Sequence, residues 1–245
     1  MKRYEKNKKL LSENYIYNQS MEHDACGVGL IATTDGKKSR KIVDYGIEAL
    51  KAIWHRGAVD ADGKSGDGAG IQIEIATEFF KEKIIATGHD PDNTKRICVG
   101  MVFLPRTDYV EQEKCREIIE SVLLEENYSI YGWRQVPFNS NVLGKTAEQS
   151  RPEIAQVMFK KNENLETNDL ERNLFETRKK IEKLARENQL KNFYICSFSS
   201  RSIVYKGMFL AEMLAEFYPD LNDKKLTSRF AIFHQRYSTN TFPSW

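Results

Sequence analysis

The chain has 245 residues, of which 40% are hydrophobic and 29% are charged, and its formal net charge is +2. This composition excludes an intrinsically disordered chain and a strongly basic protein built to bind nucleic acid. Charged residues interrupt every apolar run before it reaches the roughly 20 residues of a membrane span. The sequence therefore predicts one large globular domain, with neither a membrane nor a nucleic acid as partner.

The first 25 residues are basic and then polar, and they contain no apolar run of the length that a secretory signal needs. We therefore expect a cytoplasmic protein. Next comes the stretch HDACGVGLIAT, in which Cys26 stands directly before a predicted strand at 27–33. A cysteine there is either a buried structural thiol or a nucleophile, and the residue alone favours the structural interpretation.

Apolar spacing predicts the remaining elements in chain order. Residues 40–54 form a helix, because their apolar positions recur every three or four residues, and 69–76 alternate as a half-buried strand. The later predictions are a strand at 96–105, a helix at 108–128, strands at 128–137 and 153–159, a charged helix at 167–189 and a hairpin-like pair of strands within 192–208. Strands and helices are mixed without repeats, so the predicted fold class is α+β or α/β.

The Gly- and Asp-rich segment HRGAVDADGKSGDGAG, residues 55–70, has two interpretations. It is a long surface loop, or it shapes the backbone next to a site and lets Arg56 point into a cleft. Gly63, Lys64 and Ser65 look like the end of a phosphate-binding loop, but that motif requires glycine where this chain has Ala58. The glycines of GVGLIA open a strand instead of following one, so a nucleotide-binding protein is a poor interpretation.

The four cysteines, Cys26, Cys98, Cys115 and Cys196, are widely separated and have no histidines at metal-ligand spacing. We expect neither disulfides nor a metal site. Cys26 has no base that the sequence identifies, but cleavage between Ala25 and Cys26 would free an α-amine. Such an amine, with a pKa of about 7.7 to 8.0, can act as the general base for its own side chain.

The segment FHQRYSTNTFPSW, residues 233–245, places Arg236 among hydroxyl and amide side chains. A guanidinium in that setting can bind a carboxylate in bidentate fashion, although an ordinary polar loop has the same composition.

Together, ACGVGLIA, HRGAVDADGKSGDGAGI, FYICSFSSRSIVYKGM, FYPDL and QRYSTNTFPSW resemble the class II glutamine amidotransferase (glutaminase) domain of the glutamate synthase family. The resemblance implies an N-terminal-nucleophile hydrolase fold, a four-layer αββα sandwich of class α+β, incomplete at its C-terminal side. It implies a propeptide at 1–25 and a partial amidotransferase domain at 26–245. Cys26 would be the nucleophile, and the residues that bind the substrate L-glutamine would be Arg236, Arg56 and Thr239.

In the complete enzyme, ammonia would pass to a synthase domain of the same chain that aminates 2-oxoglutarate. That enzyme would use FMN, an iron–sulfur cluster and NADPH or ferredoxin, with a small reductase subunit as a possible partner and no cofactor in this chain itself. The family's oxyanion hole comes from an Asn-Gly pair, which this sequence lacks. Losing one oxyanion donor costs about 3 to 4 kcal/mol, so we expect a truncated, unprocessed chain without useful activity. The alternative is a non-catalytic remnant or interaction module that keeps part of the fold.

Overall fold

A computed structural model describes residues 2–15, 18 and 26–245 of the chain. The strands are β1 Gly27–Ala32, β2 Ser65–Glu74, β3 Cys98–Leu104, β4 Tyr128–Gln135, β5 Glu153–Lys161, β6 Tyr194–Ser199, β7 Ser202–Phe209 and β8 Phe230–Gln235. The α-helices are α1 Lys2–Asn14, α2 Arg40–Ala52, α3 Thr77–Ala86, α4 Tyr109–Glu125, α5 Lys145–Gln149, α6 Thr167–Glu187 and α7 Leu214–Phe217. A 3₁₀ turn, Trp54–Arg56, follows α2.

The strands form two four-stranded antiparallel sheets. The first sheet has the order β1-β8-β2-β7, and the second has the order β4-β5-β3-β6. Helices pack on both sheets, which confirms the expected α+β class and the two antiparallel sheets of a sandwich. The sequence did not predict α1, α3, α5, α7 or β8, because their short or strongly polar sequences carry little periodic signal.

Two clusters of buried side chains hold these layers together. One joins α2 and α3 to the first sheet and to one face of the second, and Leu50, Ile73 and Met101 are fully buried in it. The other fills the space between the second sheet and the helices α4 and α6, and it includes Val102 and Ile119. All seven residues of β3 are buried, as a strand covered on both faces requires.

A polar network lies between the two sheets. Arg134 of β4 donates to both carboxylate oxygens of Asp220 at 2.9 and 3.0 Å and to Gln156 of β5 at 2.9 Å. Tyr205 of β7 donates its hydroxyl to Asp220 at 3.1 Å. Because the side chains of Arg134 and Asp220 are only 12% and 4% exposed, each depends on the other for its hydrogen bonds.

The hairpin predicted within 192–208 is wrong. β6 belongs to the second sheet and β7 to the first, so the chain changes sheets at residues 199–201. Glu171 of α6 holds this corner by accepting hydrogen bonds from Ser199 Oγ at 2.8 Å, Ser200 N at 2.8 Å and Ser200 Oγ at 2.6 Å. An alternating apolar pattern is the same for a hairpin and for two strands that face each other across a core, which is why the sequence misleads here.

The Gly- and Asp-rich segment is a short turn followed by a strand rather than a long loop. β2 begins at Ser65, and its pairing with β7 is interrupted between Ser65 and Ala69. Within that irregularity Gly68 has a φ of +127°, a left-handed conformation that favours glycine. Asp62 accepts hydrogen bonds from Ser65 Oγ and from the amides of Ser65, Lys64 and Thr146, and these bonds hold the pKa of its carboxyl well below the usual range.

Candidate active site

The thiol of Cys26 lies at the edge of the first sheet, exposed to solvent. β1 pairs with β8 so that Gly27 lies opposite Gln235, which places Cys26 beside the residues that follow β8. The backbone amide of Tyr237 donates to Sγ of Cys26 at 3.4 Å, and Sγ donates to the carbonyl oxygen of Tyr237 at 3.6 Å. Antiparallel pairing thus brings together two segments separated by 211 positions in the chain.

Arg236 follows β8 directly, and its backbone amide donates to the carbonyl oxygen of Gly68 at 2.8 Å. Nη2 of its guanidinium donates to Ser238 Oγ at 3.1 Å and to Thr241 Oγ1 at 2.6 Å. Within the part of the chain that the structure describes, Nε and Nη1 have no hydrogen-bond partner. The half-buried guanidinium therefore keeps donors free for a carboxylate.

Arg56 closes the 3₁₀ turn after α2, and its side chain leaves from beside β1. A methyl group built on Gly27 would lie 3.2 Å from Cβ of Arg56 and 2.7 Å from Cδ1 of Ile53. The glycine after Cys26 thus allows this close approach, and Arg56, whose side chain is exposed, lies beside the residue that follows Cys26. The structure therefore brings together the segments that carry Cys26, Arg236 and Arg56.

Thr239 lies on the same loop as Arg236, but it is exposed, and its side chain makes no hydrogen bond to any described residue. Ser238 and Thr241 are the hydroxyl residues that hold the guanidinium instead. The role of Thr239 in substrate binding therefore stays a prediction.

Two positioning residues were missed by sequence reasoning. Asp67 accepts a hydrogen bond from the backbone amide of Ser238 and so ties the loop after Arg236 to β2. Gln235 is fully buried; its Oε1 accepts from the amide of Ala211 at 2.9 Å, and its Nε2 donates to the carbonyl of Gly68 at 3.2 Å. The sequence signal was present in GDGAG and HQRY, but only the pairing of β2 with β8 shows that the two motifs touch.

Gln235 also explains why a glycine follows Arg56. A methyl group on Gly57 would lie 2.3 Å from Nε2 and 2.6 Å from Cδ of Gln235, so a larger residue here would displace the buried amide from its hydrogen bonds. The buried amide of Gln235 therefore lies between the segments that carry the two arginines.

A cavity of about 340 Å³ opens beside Arg236 on the exposed face of the first sheet. Asp67, Lys206, His234 and Trp245 are among its lining residues, whereas Cys26 and Arg56 are not. Desolvation and the positive charge of Arg236 lower the pKa of His234, which leaves its imidazole neutral at pH 7. The cavity thus reaches Arg236 but not the thiol of Cys26.

The described residues contain no group of three His, Cys, Asp or Glu side chains that could hold a metal ion. The thiols of Cys98 and Cys115 are buried between the second sheet and its helices. None of the helices in the described part of the chain is long and apolar enough to cross a bilayer.

Comparison with known proteins identifies the family. The family model of class-II glutamine amidotransferases matches residues 26–245, beginning at Cys26 itself. The chain belongs to this family. Class II amidotransferases are N-terminal-nucleophile hydrolases, so the fold expected from the sequence is confirmed.

Three curated relatives of this chain are all named glutamate synthases. The chain is 55% identical over 230 residues to the glutamate synthase [NADPH] large chain of Azospirillum brasilense, and the match covers 94% of this chain and 15% of the relative. It is 43% identical over 240 residues to the ferredoxin-dependent glutamate synthase of Pyropia yezoensis, covering 97% and 15%. It is 40% identical over 225 residues to the chloroplastic ferredoxin-dependent glutamate synthase of Spinacia oleracea, covering 91% and 14%.

These matches confirm the resemblance to the amidotransferase domain of glutamate synthases. The chain spans only about 14 to 15% of the length of these three relatives. The similarity therefore concerns one domain of much longer enzymes.

Proposed function

We propose that residues 26–245 form the glutaminase part of a glutamate synthase, with Cys26 as its nucleophile. The observation that carries the proposal is the exposed thiol of Cys26 beside the loop of Arg236, at the residue where the family match begins. Removal of residues 1–25 would free the α-amine of Cys26. Ala25 lies outside the described residues, so this cleavage rests on the sequence and the family.

In the proposed reaction the amine accepts the thiol proton, and the thiolate attacks the side-chain amide carbon of L-glutamine. The S–C bond forms, the C–N bond breaks, and the nitrogen leaves as ammonia after it takes up a proton. Water then attacks the thioester, which releases glutamate and restores the thiol. The role of Arg236 is to bind the substrate α-carboxylate through its free N–H groups, and Arg56 and Thr239 complete the binding site.

The ammonia would supply a synthase domain that aminates 2-oxoglutarate, with electrons from NADPH or ferredoxin through FMN and an iron–sulfur cluster. The relatives named above include one named for NADPH and others named for ferredoxin. The cofactors, a small reductase subunit and a cytoplasmic location stay predictions for the complete enzyme. Because the sequence contains no Asn-Gly pair to stabilise the oxyanion, we expect the 245-residue chain alone to turn over glutamine slowly.

The proposal can be tested without turnover, by covalent labelling. Chains that begin at Cys26 and at Met1 are incubated with an electrophilic analogue of L-glutamine, and the modified mass is followed with time. The chain beginning at Cys26 should be labelled once, at Cys26, and L-glutamine should protect it while D-glutamine does not. Arg236→Lys should weaken that protection, because lysine cannot grip a carboxylate in bidentate fashion.

Equal labelling of both chains would show that the α-amine is not the base. Labelling without protection by L-glutamine would favour the alternative, a non-catalytic module with an ordinary exposed thiol. Arg172→Lys, which changes an exposed arginine of α6 outside the site, is the matched control.

A further inference from the structure

A second cavity, of about 680 Å³, lies at the opposite end of the first sheet from Cys26. It is lined by Glu74 at the end of β2, Ser202 at the start of β7 and Phe230 at the start of β8. Cys26 adjoins Gln235, the last residue of β8, so the length of that strand, about 16 Å, separates the two places. Cys26, Arg56, Arg236 and Thr239 do not line this cavity.

Both carboxylates in the wall of the cavity are already engaged. Glu74 accepts hydrogen bonds from Nε and Nη2 of Arg229 at 2.9 and 2.6 Å and from the backbone amide of Arg229 at 2.6 Å. Burial alone would raise the pKa of Glu74, but these bonds outweigh that effect and lower it. Glu171 holds the corner between β6 and β7 through Ser199 and Ser200. Oε1 of Glu74 also pairs with Nζ of Lys38 at 3.8 Å, so neither carboxylate is free for a further cation.

Two guanidinium groups in the same wall lack partners. Arg96 precedes β3 and Arg201 joins β6 to β7, and both are exposed. Neither side chain makes a hydrogen bond or an ion pair within the described ranges 2–15, 18 and 26–245. Lys95, also in the wall, donates only to uncharged oxygens, the carbonyl of Asn162 at 2.8 Å and Oδ1 of Asn164 at 2.6 Å.

The charges of the cavity are therefore unbalanced. Five cationic side chains, Lys38, Lys95, Arg96, Arg201 and Arg229, share the wall with the two engaged carboxylates, an excess of three positive charges. Like charges that line one concave space repel each other, and they focus a positive potential that raises the local concentration of anions. A bound anion with several negative charges would relieve that repulsion.

The N-termini of two helices, α3 and α6, add to the positive potential of the cavity. Thr77 and Thr167, the first residues of α3 and α6, line the cavity. No side-chain hydrogen bond caps the N-terminus of either helix, so their first amides add partial positive charge. This contribution is secondary to that of the unpaired guanidinium groups.

We propose that this cavity binds a small multivalent anion, with Arg96 and Arg201 gripping its phosphate or carboxylate groups. The site is separate from the proposed glutaminase site, and its existence does not depend on that function. A cavity of this volume lies in the size range of small-molecule binding sites, so it suits a small ligand better than it suits a protein partner with a flat surface.

Isothermal titration calorimetry of the 245-residue chain at constant ionic strength tests the proposal. Sodium pyrophosphate and sodium citrate are titrated separately, so the two arms distinguish phosphate from carboxylate groups. We expect saturable one-to-one binding in at least one arm, and a loss of affinity of about tenfold or more in each of Arg96→Ala and Arg201→Ala.

Arg186→Ala is the matched control. Arg186 is exposed and lies 19 residues after Thr167 on the same helix, about 28 Å from the cavity. The Arg186→Ala variant should bind the anion with unchanged affinity. The variants Arg96→Lys and Arg201→Lys keep the charge and should lose less affinity than the alanine variants, provided that their circular dichroism spectra match the parent.

Three results would overturn the proposal. The first is the absence of saturable binding by both anions, and the second is an equal loss of affinity in Arg186→Ala. The third is binding of a polyglutamate peptide but of neither small anion, because that result would make the region a docking surface for an acidic polypeptide.

Discussion

The two sheets of this protein differ in how completely they are covered. In the second sheet every residue of β3 is buried. In the first sheet, Val28 and Leu30 of β1 are 68% and 64% exposed, and Ile232 of the adjacent β8 is 39% exposed. The pairing of Leu30 with Ile232 places these apolar side chains on one open face, whose edge carries Cys26. The first sheet thus packs one face into the core and leaves part of the other open beside the candidate nucleophile.

The largest contrast should be in thiol reactivity. With iodoacetamide at pH 8, Cys26 should be alkylated at least about a thousandfold faster than Cys98 and Cys115, which become accessible only when the second sheet opens. Burial also raises the pKa of Cys115 to about 12 and that of Cys98 further, which depletes their thiolates. Peptide mass spectrometry of timed samples measures the rates. Urea, which unfolds the chain and should make the three alkylation rates equal, is the control. Similar rates in the folded chain would contradict the predicted contrast.

Breaking the polar network between the sheets should have the next largest effect. Asp220→Ala leaves the guanidinium of Arg134 buried without its carboxylate, at a cost of about 3 to 5 kcal/mol in the free energy of unfolding. Urea denaturation measures this change. Asp44→Ala removes the partner of Arg40 at a position where Asp44 is 47% exposed, and it should cost less than about 1 kcal/mol. Comparable losses in the two variants would contradict the assignment of Asp220 as a buried partner.

A matched pair of leucines tests the contrast in burial directly. Leu104 of β3 is completely buried, whereas Leu30 of β1 is 64% exposed. Leu104→Ala should lower the free energy of unfolding by about 2 to 5 kcal/mol, and Leu30→Ala should change it by less than about 0.5 kcal/mol. A large loss in Leu30→Ala would show that the open face is covered in solution. Denaturation at several protein concentrations would then test whether a second copy covers it.

The smallest effect concerns the acid sensitivity of the first sheet's far end. The pKa of Glu74 is lowered in the folded chain by Arg229, with a further contribution from Lys38, against the opposing effect of burial. Its contribution to stability is therefore complete above the unfolded pKa of about 4.5. It disappears as the pH falls from there through the lowered value.

The variant Glu74→Gln should accordingly show a shallower decline of the urea midpoint below pH 4.5 than the parent chain. The expected loss at neutral pH is about 1.5 to 3 kcal/mol, the range for hydrogen bonds to a charged group. Glu13→Gln, which changes an exposed carboxylate of α1, is the control and should leave the pH profile unchanged. A parallel profile in Glu74→Gln would mean that other carboxylates cause the acid sensitivity.

Local patterns in the sequence predicted most of the long elements. The spacing of Ile42, Ile47 and Leu50 places α2 correctly, and the apolar run before Pro105 places β3. Both signals depend only on which side chains must leave water, and this requirement repeats along the chain with the period of the helix or strand. The motifs around Cys26 and Arg236 also named the two residues that the fold brings together.

Other features were decided only by the tertiary structure. The strands on either side of residues 199–201 have alternating patterns that suit a hairpin, yet they belong to different sheets, and Glu171 of the preceding helix α6 holds the corner between them. Gln235 reads as a polar residue near the end of the sequence, but the pairing of β8 between β1 and β2 buries it and makes it the joint between the two arginine-bearing segments. The five cationic side chains that line the second cavity also come from four separate segments of the chain.

The sequence by itself thus determined the helices and strands with strong periodicity, the family, and the identity of the candidate nucleophile. The tertiary structure decided which strands share a sheet, which polar residues are buried and which charges lack a partner. The physical reason is that periodicity and motif spacing are local properties, whereas strand pairing, burial and charge balance depend on residues that meet only when the chain folds.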